Sequence, residues 1–284
     1  MSKRKGTPYG GVFFGDEVRQ LKACRTSSGP ARADDSAAAA AAAGDGGGLP
    51  CLHETTVAFL HDLASNNSSD WVKSNKKHYD AARADFQEFV KGIIAQVAEF
   101  DPALKDLDPK NCIFKMNRDL RFTPDQRPYK TSMSAFLSYA GDKKTPSPGY
   151  YVCVDPSGES MFGGGMWCPS TTHLDTIRKF IDDGGDKQIG AVTNDASFKQ
   201  TFGDDPLAGC DRLKTAPKGY AKNHPSVRLL QLKSFHVGTK VEGKDIDFYS
   251  SSALAEAAVD TFRALRPWNH LLCEVIGINK DGGS

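Results

Sequence analysis

Residues 149–167 read G-Y-Y-V-C-V-D-P-S-G-E-S-M-F-G-G-G-M-W, and their pattern sets the fold class. Gly149 to Val154 is an aromatic and β-branched run, Asp155-Pro156-Ser157-Gly158 is a turn signal, and Glu159 to Trp167 resumes extended chain. Just upstream, Ser132 to Tyr139 alternates Met133, Ala135 and Leu137 with smaller or polar residues, and Pro146-Ser147-Pro148-Gly149 turns the chain into the next run. Cys112 to Asn117 is a further candidate strand. Runs linked this closely predict an antiparallel meander with one face covered by helix. Glycine inside a strand forfeits packing, so Gly163-Gly164-Gly165 marks a bulge or backbone that passes close to something else. No G-K-[ST] follows, so this is not a Walker loop.

The helices that cover it are legible before and after the meander in the sequence. Val57, Leu60 and Leu63 fall at helical spacing over Glu54 to Ala64, and Asn66-Asn67 stops that helix. From Ser69 toward Phe100, Val72, Tyr79, Phe86, Ile93 and Phe100 recur every seventh residue, with Phe89, Val90 and Val97 beside them. That stripe faces a core, while Lys73, Lys77, Arg83, Glu88 and Lys91 face water. Asn67 and Trp71 stand apart, because a turn there can present polar groups to the loop that follows. T-H-L-D (Thr172 to Asp175) is a capping box for a helix reaching Asp183. Leu207 to Thr215 and Phe235 to Val241 read as strands, and helix returns over Ser252 to Leu265 with a restart at Pro267. The fold class expected is α+β: an antiparallel meander packed by one long amphipathic helix and C-terminal helices.

Residues 51–284 form one domain on this reading. Residues 1–50, with the alanines 37–43 and glycines 44 and 46–48, form a low-complexity tail that buries too little apolar surface to order. An organelle transit peptide is the other reading of that basic start, opposed by Asp16, Glu17, Asp34 and Asp35. Apolar residues make up 39% and charged residues 25%, as in an ordinary globular protein. A net charge of +1 excludes general attraction to nucleic acid or anionic membrane, so any such binding needs a local patch. The seven cysteines show no C-x-x-C pair, and no apolar run approaches membrane-spanning length. The expectation is a soluble, intracellular, cytoplasmic protein, with no membrane partner.

The chemistry concentrates in F-K-M-N-R-D-L-R-F-T-P-D-Q-R-P-Y-K-T, Phe114 to Thr131. Lys115, Arg118, Arg121, Arg127 and Lys130 surround only Asp119 and Asp125, a surplus of +3 (five cations less two acids). Arginine forks hold phosphate or carboxylate through paired bonds, so Arg118, Arg121 and Lys130, with the Tyr129 hydroxyl, form a candidate anion site. Asp119 and Asp125 orient the arginines; beside so much positive charge their pKa values fall, which suits anchors better than general acids. Lys218, Tyr220, Lys222 and His224 form a second basic turn. Cys168 with His173, and His270 with Cys273, lack the further ligands a metal site needs.

R-D-x-R-F followed by P-Y-K resembles the signature of domain of unknown function family 2461. N-N-S-S-D-W (Asn66 to Trp71) with Tyr79, G-G-G-M-W-C-P (Gly163 to Pro169) and P-K-G-Y-x-x-x-H-P (Pro217 to Pro225) resemble its other blocks, in the family's order. The likeness spans about residues 52 to 276. The chain departs at Lys115, where the family tends to arginine, and at Gln126, where it tends to lysine. The resemblance implies no activity, cofactor or partner.

Three readings stand at this point. The loop binds a phosphorylated or other anionic small molecule, with a phosphoester-directed enzyme as its catalytic version. Alternatively loop and second turn bind nucleic acid or an acidic protein. In the third, the loop is a structural ion-pair lattice with no guest. Neither a reaction, a cofactor nor an oligomeric state is named by the sequence.

Overall fold

The computed structural model describes residues 48–122, 125–241 and 245–278; the tail expected over 1–50 lies almost wholly outside these. Four strands, β1 (Met133–Ser138), β2 (Gly149–Val154), β3 (Met161–Met166) and β4 (Phe235–Lys240), form one antiparallel sheet in the order β1-β2-β3-β4. Register runs from Met133 opposite Val154, through Val152 opposite Phe162, to Gly164 opposite Val237. The pleat therefore sends Ala135, Leu137, Tyr150, Val152, Phe162 and Val237 to the main core. Phe136, Tyr151, Cys153 and Met161 go to the opposite, outer face, where they meet Phe114 and Trp167 in a second apolar cluster.

Helices α1 (Glu54–Ser65), α2 (Ser69–Ser74) and α3 (Lys76–Ala98) precede the sheet. The heptad stripe is as expected: Val72, Phe86 and Ile93 are buried, with Tyr79 and Phe100 partly so. The single helix expected from Ser69 breaks at Asn75, whose side chain donates to the Trp71 carbonyl (3.0 Å) and ends α2. Pro50 packs where any side chain at Gly92 of α3 would stand, and Leu49 already joins the core.

Three other expectations are corrected. Cys112 belongs to a short helix, α4 (Pro109–Cys112), and the residues after it form no strand: they make one isolated bridge to the sheet, Ile113–Ala135, and one within the loop, Asn117–Tyr129. Leu207–Thr215 is turns with a single bridge, Arg212–Leu232. Between β3 and β4 lie α5 (Thr171–Phe180), a π turn at Ile181–Gly185, α6 (Asp186–Thr193), α7 (Ala196–Phe202) and α8 (Val227–Leu230). After α9 (Ile246–Ser250), α10 runs unbroken over Ala253–Ile276 with Pro267 inside it. Proline removes one backbone bond, yet the next two side chains fasten the helix to the sheet. Trp268 Nε1 donates to the Phe235 carbonyl (3.2 Å), and Asn269 Nδ2 donates to the Gly149 carbonyl (3.1 Å) while its Oδ1 accepts from Gly165 N (2.9 Å).

This docking explains two of the three glycines, Gly164 and Gly165, while Gly163 lies against Val237 and Gly238 of β4. A Cβ on Gly164 would collide with the Gly149 carbonyl and the Leu265 side chain of α10, and Gly165 has φ +92°. The object that the glycine strand passes is α10, which lies across β3 and β2; the long α3 reaches the sheet at β1. No helix among the described residues is long and apolar enough to cross a membrane.

Candidate functional site

The arginine loop is a bracket closed at both ends. Lys130 N donates to the Met116 carbonyl (2.7 Å) and Arg118 N to the Pro128 carbonyl (2.9 Å), so the chain leaves beside where it entered. Asn67 clamps the exit: its Nδ2 donates to the Tyr129 carbonyl (2.9 Å) and its Oδ1 accepts from Tyr129 N (3.0 Å). The Tyr129 ring meets Tyr79 edge-on at 6.3 Å, Tyr79 meets Phe59, and Phe59 stacks on Trp71. Residues that carried the resemblance in separate blocks therefore converge: Asn67, Trp71 and Tyr79 hold Tyr129.

The guanidinium heads meet carboxylates of the same loop. Arg121 forks onto Asp119 (Nε 2.9 Å, Nη2 2.7 Å). Arg127 binds Asp125 (Nη2 2.7 Å), and Arg118 Nη1 donates to the same carboxylate. Hydrogen bonds from Arg127, then Arg118, hold the Asp125 carboxyl far below its ordinary range. Arg118 is 12% exposed and Arg121 68%, so the first pair is sheltered and the second stands in water. Lys130 takes a different course. It is 7% exposed, with its ammonium 5.6 Å from the centre of the Phe114 ring.

The second basic turn lies against α5 and the π turn after it. His224 Nε2 is 3.1 Å from Asp182, and Tyr220 is half-buried with Asp182, Arg178, Asp175 and Asp183 as charged neighbours. Lys218 and Lys222 are exposed.

A small cleft, partly open to solvent, lies instead on the outer face of the sheet. Phe114, Phe136, Tyr151, Trp167 and His236 wall it, Gly164, Gly165 and Met166 contribute from β3, and residues 143–147 form its rim. The pleat accounts for the space. Gly165 on β3 takes an outward position opposite His236 and lines the cleft without a side chain, whereas the Met161 side chain lies over the outward Gly238 of β4. Of the loop, Phe114 lines the cleft and Lys130 backs Phe114; among the described residues, Arg118, Arg121 and Tyr129 do not line it.

The imidazole that lines the cleft and the thiol bonded behind it are neutral. Burial pushes the His236 imidazole down to about 3, and its ring lies 3.9 Å from Trp167 between centroids, with Nδ1 3.1 Å from the Ser234 hydroxyl. The Cys210 thiol donates to the His236 carbonyl (3.1 Å), and burial pushes it up to about 11. Among the described residues that line it, positive charge lies at the edge. Lys144 is exposed, and Lys143 Nζ donates to the Asn111 carbonyl (2.9 Å). Asp142 ties down this rim, accepting from Lys144 N (2.6 Å), Thr145 N (2.9 Å) and the Thr145 hydroxyl (3.0 Å). Among the described residues, no three histidine, cysteine or acidic side chains gather as a metal would need.

A further polar cluster is sealed in the main core. Asp101, 0% exposed, accepts from Tyr150 (2.6 Å) and from Tyr139, and lies 3.2 Å from His270 Nε2. Sequence reading missed both this cluster and the cleft. Asp101 shows in the sequence as a helix stop before Pro102, and the phenols that bind it come from two strands.

Fold and cleft together define an α+β protein with a four-stranded antiparallel meander, helices on its inner face and an aromatic cleft on its outer one. The chain belongs to the conserved hypothetical protein family DUF2461, whose family model matches residues 55–271. No curated protein and no solved structure matches it.

Proposed function

We propose that this protein binds a small, flat organic molecule in the cleft on the outer face of its sheet. The observation that carries the reading is a concave aromatic surface at Gly165, an outward strand position that carries no side chain. The cleft also joins two segments that the sequence marks separately, Gly163 to Pro169 and the start of the arginine loop.

On this reading the loop is a brace and the cleft is the seat. Arg118, Arg121 and Arg127 are spent on Asp119 and Asp125, so a phosphorylated guest at their tips would have to displace a bidentate carboxylate. The brace fixes the segment that carries Phe114. The nucleic-acid alternative draws on exposed Lys218 and Lys222, and Asp182 and Asp183 beside that turn oppose a phosphate backbone. The neutral thiol and imidazole behind the cleft favour binding over nucleophilic chemistry, which needs a thiolate or an activated hydroxyl.

The test is a screen of planar aromatic compounds by thermal shift and tryptophan fluorescence, with Trp167 as reporter. Hits are expected to quench the wild type, to lose most of the quenching in Trp167→Phe, and to bind more weakly to Thr145→Trp, which crowds the rim. A ligand at a hundred times its Kd adds about 2.7 kcal/mol of stability. Failure of every compound at about 1 mM to shift the melting temperature refutes the reading. So does a hit whose shift disappears in Arg121→Ala and persists in Thr145→Trp, because it returns the site to the loop.

A further inference from the structure

We infer that a second hollow, apart from the outer-face cleft, binds a free apolar amino acid, its carboxylate on Arg212 and its ammonium group on Asp204 and Asp205. Residues 193–194 at the end of α6, residues 204–207 after α7, Arg212, and Arg228 with Leu229 of α8 line it, and none of these lines the cleft. Arg212 is held in place by its neighbours. Leu213 N donates to the Gln231 carbonyl (2.8 Å) and Lys233 N to the Asp211 carbonyl (2.8 Å), so the backbone on either side of it is paired. Its half-buried guanidinium donates from Nη2 to the Leu207 carbonyl (2.9 Å) and from Nη1 to the Ala208 carbonyl (3.4 Å), while Nε is buried without a hydrogen-bond partner. Of the five guanidinium donors this leaves one on each terminal nitrogen, the number a carboxylate takes up with its two oxygens. Arg118, Arg121 and Arg127 of the loop pair with acids, whereas among the described residues no acid pairs with Arg212. Pinning two carbonyls needs donors and no charge. A half-buried charge without a counter-ion is costly, and an anionic guest supplies the counter-ion.

The same hollow holds two acids and a second arginine. Asp204-Asp205-Pro206 turns the chain out of α7, and Ala208 N closes the turn on the Asp205 carbonyl (3.0 Å). The Asp205 carboxylate meets Arg228 Nη2 at 3.9 Å, beyond hydrogen-bond distance, and among the described residues the Asp204 carboxylate has no partner. Cations and acids therefore match in number without closing on one another. Arg212 and the two carboxylates stand farther apart than an ion pair yet line one space, as a zwitterion seated between them requires. A guest with a single charge meets a like charge in that space, and a guest with both charges finds a partner for each. Pro206, Leu207 and Leu229 add apolar surface for its side chain.

Three compounds with one hydrocarbon skeleton decide the matter by calorimetric titration of the full chain: leucine, isocaproate, which lacks the amine, and isoamylamine, which lacks the acid. Leucine is expected to bind about tenfold tighter than either analogue, the worth of one charge-assisted contact. Asp204→Asn combined with Asp205→Asn should bring leucine down to the level of isocaproate, and Arg212→Met should bring it down to the level of isoamylamine. Thr145→Trp, which crowds the cleft, should leave leucine binding unchanged. Equal affinity for leucine and either analogue overturns the inference, as does an absence of leucine binding at about 1 mM. Leucine binding that Thr145→Trp abolishes puts the guest in the cleft and overturns it too. Should Arg212→Met not fold, the paired aspartate variant decides, because both aspartates are exposed: a leucine affinity that it leaves unaltered overturns the inference.

Discussion

Removing the Asp101 carboxylate should cost this protein about 3–5 kcal/mol, the range for breaking a buried charged pair by deleting one partner. The geometry supports the upper part of that range. The carboxylate is fully buried and accepts from Tyr139 and from Tyr150 at 2.6 Å, with His270 Nε2 at 3.2 Å. Hydrogen bonds to a charged group contribute roughly 1.5–3 kcal/mol each, offset by the cost of desolvating that charge. In Asp101→Ala the phenols lose their acceptor inside the core; Asp101→Asn keeps the shape and one acceptor oxygen, and should fall between wild type and alanine. Urea unfolding followed by circular dichroism gives the three stabilities, and Tyr139→Phe in each background separates the pairwise part. The pH dependence supplies an independent check. Burial raises the Asp101 pKa, but hydrogen bonds from His270, Tyr139 and Tyr150 outweigh it and leave the carboxyl below its ordinary 3.8. A carboxylate with a depressed folded pKa contributes fully above its unfolded value and loses that contribution as pH falls through the folded value. The gap between wild type and Asp101→Ala should therefore be constant near neutrality and close below about pH 4. A loss under about 1 kcal/mol for Asp101→Ala, within the ordinary run of substitutions, would refute the reasoning; so would a gap that widens on acidification.

The two arginine pairs should separate by exposure. Arg121→Ala should change stability by less than about 0.5 kcal/mol, as for other solvent-screened pairs, whereas Arg118→Ala, at a 12% exposed site, should lose about 1–3 kcal/mol. Thermal melts decide, and equal losses would contradict the brace. His236 gives a second acid-sensitive element. Its folded pKa of about 3 lies below the ordinary 6.5, so the unfolded chain takes up a proton that the fold refuses. Stability from this group is complete above the unfolded value and declines as pH falls from there toward the folded one. His236→Gln should flatten that slope in urea unfolding between about pH 6.5 and pH 4; an unaltered slope would place the acid sensitivity elsewhere.

The meander was legible because its signals are local. Asp155-Pro156-Ser157-Gly158 can only turn, the flanking runs alternate with period two, and the seven-residue stripe from Val72 to Phe100 needs a buried face wherever it goes. Where local signals met a stronger distant partner, expectation and structure part. Pro267 reads as a helix restart, yet Trp268 and Asn269 hold α10 to the sheet through bonds no window of sequence contains. Leu207–Thr215 is apolar enough for a strand, but only Arg212 pairs, with Leu232.

The candidate site divides in the same way. Composition alone showed that Phe114 to Thr131 holds more cations than acids, since charge is a property of the residues present. Whether those charges face a guest or each other depends on where Asp119 and Asp125 are placed to within a few ångströms, and that is set by the bracket closed through Met116, Pro128 and Asn67. The cleft is further still from the linear text. It opens where β3 sets Gly165 opposite His236 of β4, and only strand pairing decides which residues stand next to one another.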